Sequence, residues 1–275
     1  MFAQPDLPLR PMTLGELLDA AMALLRRRAL PLLSAAAVLA AAEQVVLAPL
    51  RSAAHLSPPF YGPAEEHVTA WWTVVAAGFG IELLIVTLLG SLAGAAAGPA
   101  LLGRAVRHRE LWRRTRPVAT VAVAVLLGVL GAVTAFTGLV GWIAVFGLLG
   151  MAGPALVVDR SRNPLGRSAG LAVRGGMRGF WVLLAGYLTW FAVRFALGAG
   201  WTELASFVTG ADPVLAGWLA PVAWALANTV AYAALACLGA VLLLDVRVRT
   251  EGLDIAISRT RSRGGDDAAP LVHAP

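Results

Sequence analysis

The chain of 275 residues is 59% hydrophobic and only 14% charged, with a mean hydropathy of +0.75 and a formal net charge of +6. That composition excludes a water-soluble domain. It also excludes a nucleic-acid binder, because the basic residues stand at the ends of apolar stretches rather than together on a soluble face.

After a short polar lead, Thr13-Leu14-Gly15-Glu16 has capping-box spacing and opens a helix. Leu14, Leu17, Leu18, Ala21 and Leu25 fall on one face, with Glu16, Asp19 and the run Arg26, Arg27, Arg28 largely off it. This pattern predicts an interfacial cytoplasmic helix over 13–28. It is not a cleavable leader, being acidic as well as basic and running directly into a full-length span. The first span is Ala29 to about Leu50. An outer loop with Pro58, Pro59, Gly62, Pro63, Glu65 and Glu66 ends at the interfacial pair Trp71 and Trp72.

The second apolar segment, Val68 to Gly103, is longer than a bilayer requires, so it tilts, projects, or breaks near Gly78 and Gly80. A basic stretch, Arg104 to Arg116, returns the chain to the cytoplasm. Pro117 to Val158 carries no charge and is about twice as long as one span, which predicts two helices with a turn near Thr137 to Gly141. A basic segment from Asp159 to Gly179 precedes the fifth span, Phe180 to Trp201, and an outer loop carries Glu203 and Asp212. The sixth span runs from Val214 to about Leu244, followed by a polar, glycine-rich tail, 259–275, expected to be disordered.

The expected fold is thus an all-α integral membrane protein. Residues 1–258 form a single domain of six transmembrane helices, arranged as three hairpins with cytoplasmic interfacial helices. With both termini cytoplasmic, every arginine except Arg51 and Arg194 lies on the inner side, as the positive-inside rule asks. An Ala-, Gly- and Arg-rich chain without lysine points to a GC-rich bacterial genome, and so to the plasma membrane. Leu14-Gly15, Leu102-Gly103 and Leu165-Gly166 each stand fifteen positions before a span. Ala97-Gly98-Pro99-Ala100-Leu101 is echoed by Ala152-Gly153-Pro154-Ala155-Leu156, a pattern expected of a parallel threefold repeat.

Several segments carry a family resemblance: the opening Arg10-Pro11-Met12-Thr13-Leu14-Gly15-Glu16-Leu17-Leu18-Asp19, Gly153-Pro154-Ala155, Pro164 to Arg178 leading into Phe180-Trp181, and the closing Asp245 to Asp254. Together they resemble the membrane domain attached to some bacterial glycerophosphoryl diester phosphodiesterases, and free-standing actinobacterial proteins of that type. The resemblance implies the fold alone, since the catalytic barrel of those enzymes has no counterpart here.

Catalytic signatures fail on their chemistry, so no enzymatic activity is expected. Gly166-Arg167-Ser168-Ala169-Gly170 matches G-x-S-x-G but lacks a strand-turn-helix setting and a histidine base. The absence of lysine removes P-loop hydrolysis and Schiff-base chemistry. His55, Glu65, Glu66 and His67 share a loop but match no zinc spacing, so neither metal nor cofactor is expected. Gly90, Gly94 and Gly98 mark one helix face for close packing.

The functional lead is the set of polar groups inside the apolar spans: Glu43, Glu82, Arg194, Asn228 and Tyr232. Glu43 and Arg194 lie fourteen residues into their spans, which predicts an ion pair at equal depth, with Gly131 leaving room and Glu82 as the rival partner. The second lead is the basic surface: Arg26, Arg27, Arg28, Arg113, Arg114, Arg116, Arg174, Arg178, Arg247 and Arg249. Through these the chain is expected to bind anionic lipid or a membrane-protein partner as a non-enzymatic component. The alternative is a small transporter or lipid-handling protein with the intramembrane charges along its path.

Overall fold

The computed structural model describes residues 7–57, 61–63, 65–104, 106–210 and 213–272. Pro58, Pro59 and Asp212 of the expected outer loops lie outside these residues, as does His273 of the tail. Among the described residues there are helices and no strands.

Six helices or helix pairs are long and apolar enough to cross a bilayer. They are α2 (Ala29–Ala53), α3 (Val68–Leu101), α5 (Pro117–Thr137), α6 (Leu139–Leu149) continuing as α7 (Ala152–Val158), α8 (Pro164–Thr209) and α9 (Pro213–Glu251). Their outward surface is apolar: Leu30, Val38, Val45, Val118, Val140, Phe207 and Trp218 are all exposed. Only hydrocarbon or another protein tolerates so continuous a surface.

Helix boundaries follow local chemistry. α1 (Leu14–Arg27) starts on the expected capping box: Thr13 Oγ1 accepts from Glu16 N–H at 3.3 Å, and Thr13 N–H donates to Glu16 Oε2 at 2.7 Å. α5 and α8 each begin with proline, whose missing N–H costs nothing in a first turn. Gly138, at φ +142°, separates α5 from α6 inside the turn read from the sequence. The basic and apolar parts of α8 are divided at Arg174–Met177, where Gly175, Gly176 and Met177 take left-handed backbone angles that no continuous helix contains.

α3 and α9 form the centre. α3 packs on α2, α5, α7 and α9, while α9 also receives α1, α2 and α8. α3 runs unbroken through Gly78 and Gly80, and its last two turns are buried by protein. Glycine sets the closest approaches. A Cβ on Gly80 would stand 2.6 Å from Gly128 O on α5, and one on Gly153 would stand 2.5 Å from Thr87 O. The Gly90 and Gly94 face receives Pro154, while Gly98 faces Leu271 of the tail. The repeated Ala-Gly-Pro-Ala-Leu word thus marks two helix ends, one of which, in α7, packs against α3.

Two segments at the termini pack onto the bundle. The apolar face of α1 (Leu17, Ala20, Ala21, Leu24, Leu25) is buried against the chain's own helices, chiefly α9. The described part of the tail forms α10 (Leu253–Ser262), followed by a turn that buries Leu271. A composition too polar to form a core of its own is held by an existing one. Arg247 donates to Leu271 O at 2.7 Å and to Pro270 O at 2.9 Å.

Candidate functional site

The polar residues singled out within the apolar spans converge on one cavity. It has a volume of about 370 Å³ and is lined by Glu43, Leu47, Arg51 and residues of the loop that follows α2, with Trp71, Gly78, Phe79 and Glu82 from α3, Phe191, Arg194 and Phe195 from α8, and Trp224, Asn228 and Tyr232 from α9. Volumes of this order hold small solutes.

The ion pair across it is Arg194 with Glu82, at 2.9 Å from Nη1 to Oε1. Tyr187 closes a triangle: Arg194 Nη2 donates to its hydroxyl at 3.1 Å, and the hydroxyl donates to Glu82 Oε2 at 3.3 Å. The guanidinium also stands 5.0 Å from the centre of the Phe191 ring. Glu82 Oε1 is buried and accepts no hydrogen bond, although it faces the Arg194 charge.

The expected Glu43–Arg194 pair is therefore not the one formed. The principal neighbours of α2 are α3 and α9, so Glu43 meets Asn228 and Tyr232 instead. Asn228 Nδ2 donates to Oε2 at 2.9 Å, and the Tyr232 hydroxyl lies 2.9 Å from Oε1 and 3.1 Å from Oε2. Glu43 is only 5% exposed, and among the described residues no basic group lies within ion-pair distance of it. Gly131, expected to leave room at this level, packs instead against Leu83 and Gly80 of α3. Equal depth along two helices does not make them neighbours.

Nearer the mouth, Arg51 Nη1 donates to Gln44 Oε1 at 2.8 Å, and its guanidinium lies 4.2 Å from the centre of the Tyr61 ring. Sequence reasoning missed Tyr187, Gln44 and Arg51 as members of the cluster. Gln44 and Arg51 stand one and eight positions beyond Glu43, and Tyr187 is seven before Arg194, so helical periodicity gave a usable signal for the last two.

The basic residues divide into two groups. Arg247 is 4% exposed, against the expectation of lipid or partner contact, and bridges Asp159 at 2.8 Å and Glu251 at 3.1 Å. Arg167 reaches the same two carboxylates, at 2.6 and 2.5 Å, and Arg174 meets Glu251 at 2.7 Å. Arg249 bonds Asp245 at 2.9 Å, Arg178 donates to Met12 O at 2.8 Å, and Arg28 donates to Val106 O at 2.8 Å. These arginines tie the basic segments to each other. Buried carboxylates at Asp159 and Asp245, both within 1% of full burial, draw them inward. Arg26, Arg27, Arg113, Arg114 and Arg116 remain on the surface, as do Arg174 and Arg249 in spite of their carboxylate partners.

The Ser168 hydroxyl donates to Leu148 O at 2.8 Å and accepts from Met151 N–H at 3.2 Å, so both its hydrogen-bonding roles are taken by backbone. His55 and His67 bring their ring centres to 4.9 Å, but no group of three metal-ligating side chains occurs among the described residues. Comparison with known proteins adds no identity: no family model, curated protein or solved structure matches the chain.

Proposed function

We propose that this is a multi-pass protein of the bacterial plasma membrane, with both termini in the cytoplasm, that binds and moves a small solute bearing a cationic group through the pocket around Glu43. One observation carries the reading: Glu43 is a buried carboxylate on a cavity, hydrogen-bonded but without a basic partner, while its neighbour Glu82 has one. An uncompensated carboxylate at that depth costs several kcal/mol, which a proton or a bound cation offsets. The lining suits a cation, since Trp71, Phe79, Phe191, Phe195 and Trp224 offer ring faces. Arg51, about 12 Å further along α2, supplies an anchor for an anionic end and favours a zwitterion over a simple cation. The arrangement contains no nucleophile with a base, so it supports a binding or transport role rather than catalysis.

The test uses the purified full chain with tetramethylammonium and with glycine betaine as probes, measuring binding in detergent and uptake into proteoliposomes. Both probes should bind the parent and be lost in Glu43→Gln, a variant expected to melt like the parent. Arg51→Gln should weaken only the betaine. If Glu43→Gln binds both probes as the parent does, the reading fails.

A second reading, binding of anionic lipid or a partner protein through the basic segments, rests on the arginines that remain at the surface. The engagement of Arg247, Arg249, Arg178 and Arg28 within the chain narrows that surface to the segment between α3 and α5 and its surroundings.

A further inference from the structure

A second cavity, of about 430 Å³, lies at the opposite end of the bundle from the solute pocket. Arg113, Arg114, Arg116 and Arg160 line it, and no carboxylate does. Its remaining lining is apolar, with Val158 of α7 and Leu271 of the tail packed over Gly94 and Gly98, while an adjoining cavity that shares Arg114 and Arg160 carries Glu110 and Asp266. Arg114 is held by Glu110 at 2.5 Å, and Arg116 makes only a long contact, 3.4 Å, to Leu156 O. The side chains of Arg113 and Arg160 make no hydrogen bond or ion pair with any described residue, in contrast to the arginines drawn into the Asp159 and Asp245 networks.

The backbone gives an independent sign. Arg116 and Arg160 both take left-handed conformations, at φ +52° and φ +50°. Few residues other than glycine do so, His55, Tyr61 and Met177 being the others among the described residues. Both arginines belong to the cavity lining, and they come from different segments. Arg113, Arg116 and Arg160, with Arg114 beside them on Glu110, match a multiply charged tetrahedral oxyanion, which accepts paired N–H donors from guanidinium groups.

We propose that this cavity is a phosphate-binding site, and that the phosphate is carried by a phospholipid whose acyl chain runs along its apolar wall. The position favours a lipid source, because Arg116 immediately precedes the span α5 and the apolar floor belongs to α3 and α7. The site is separate from the solute pocket and does not depend on the reading given to it.

The experiment measures binding of short-chain phosphatidic acid, inorganic phosphate and short-chain diacylglycerol to the purified full chain in neutral detergent. Three proteins are compared: the parent, Arg113→Gln/Arg160→Gln, and the charge-matched control Arg259→Gln/Arg263→Gln. Since Arg113 and Arg160 have no internal partners, the first variant should melt like the parent. Phosphatidic acid should bind the parent and the control alike. It should bind Arg113→Gln/Arg160→Gln about 30-fold more weakly, at roughly fivefold per charge, and diacylglycerol should not bind. Equal affinity for inorganic phosphate would uphold the phosphate site and overturn its lipid source. Equal loss in both double variants, or no binding of either phosphate compound to the parent, overturns the proposal.

Discussion

Replacing Arg194 with alanine removes the one cation that faces Glu82, leaving a carboxylate that is 2% exposed without compensation and Tyr187 without its donor. Breaking a buried pair from one side costs about 3–5 kcal/mol, far more than the roughly 0.6 kcal/mol of an average hydrogen bond between membrane helices. At on the order of 2–4 °C per kcal/mol, the variant should melt about 6–20 °C below the parent. Glu82→Ala should lower the melting temperature by less than Arg194→Ala, because the freed arginine still faces Phe191 and Tyr187 and has a long side chain with which to reach polar surroundings. The decisive quantity is the coupling from a double-mutant cycle, read by tryptophan fluorescence during thermal unfolding in detergent. Glu82 and Arg194 touch, so their coupling should be about 2–3 kcal/mol, whereas Glu43 and Arg194, each bonded elsewhere, should couple by less than about 1 kcal/mol. A larger coupling for Glu43 with Arg194 than for Glu82 with Arg194 would refute the assignment of partners.

Three further outcomes test other parts of the fold. Arg247→Met should release the C-terminal segment, since the lost bonds to Leu271 O and Pro270 O are worth roughly 1.5–3 kcal/mol each; tryptic cleavage at Arg259, Arg261 and Arg263 should accelerate about tenfold or more. Gly153→Ala forces a Cβ to within 2.5 Å of Thr87 O and should cost about 1–3 kcal/mol in thermal unfolding, whereas Gly98→Ala, whose Cβ meets Leu271 Cδ1 at 3.6 Å, should be near neutral. At the start of α1, the hydrogen bonds from Arg10 and Thr13 hold the Glu16 carboxyl down to about 2. Because that value is depressed, the contribution of Glu16 is complete above the ordinary glutamate range and is lost as pH falls toward about 2. The protection of amides in the first turn of α1, taken relative to their intrinsic exchange, should fall over that interval in the parent and show no such step in Glu16→Gln.

How much of this was legible in the sequence depends on what a linear pattern encodes. Span number, the Gly138 turn and the Thr13 capping box are local properties, set by runs of apolar residues and by neighbours three or four positions apart, and the sequence shows them directly. Helix adjacency is not local. Depth can be counted from a span boundary, and on that count Glu43 and Arg194 are level, but the count carries no information about which helices touch. Only packing places α9 against α2, and so gives Glu43 to Asn228 and Tyr232. The same holds for α1, whose amphipathic pattern is equally that of a helix on lipid and of a helix on protein.

The arginines show the limit in its sharpest form, because the positive-inside pattern treats all of them alike. Arg113 and Arg247 are both basic residues near a span end, yet the side chain of one meets no partner among the described residues and the other is 4% exposed between Asp159 and Glu251. What separates them is the placement of a few carboxylates. Asp159 and Asp245 stand at helix ends that pack inward, so each recruits arginines from distant segments and holds the tail and the N-terminal strap at Met12 in place. A carboxylate within the same basic stretch, Glu110, reaches only its own helix neighbour Arg114. Surplus charge therefore accumulates where buried acids are absent, around Arg113, Arg116 and Arg160, and at the other end of the bundle the same imbalance appears with opposite sign at Glu43. In both places the unbalanced group lines a cavity, which is the physical ground for assigning each of them a ligand rather than a structural partner.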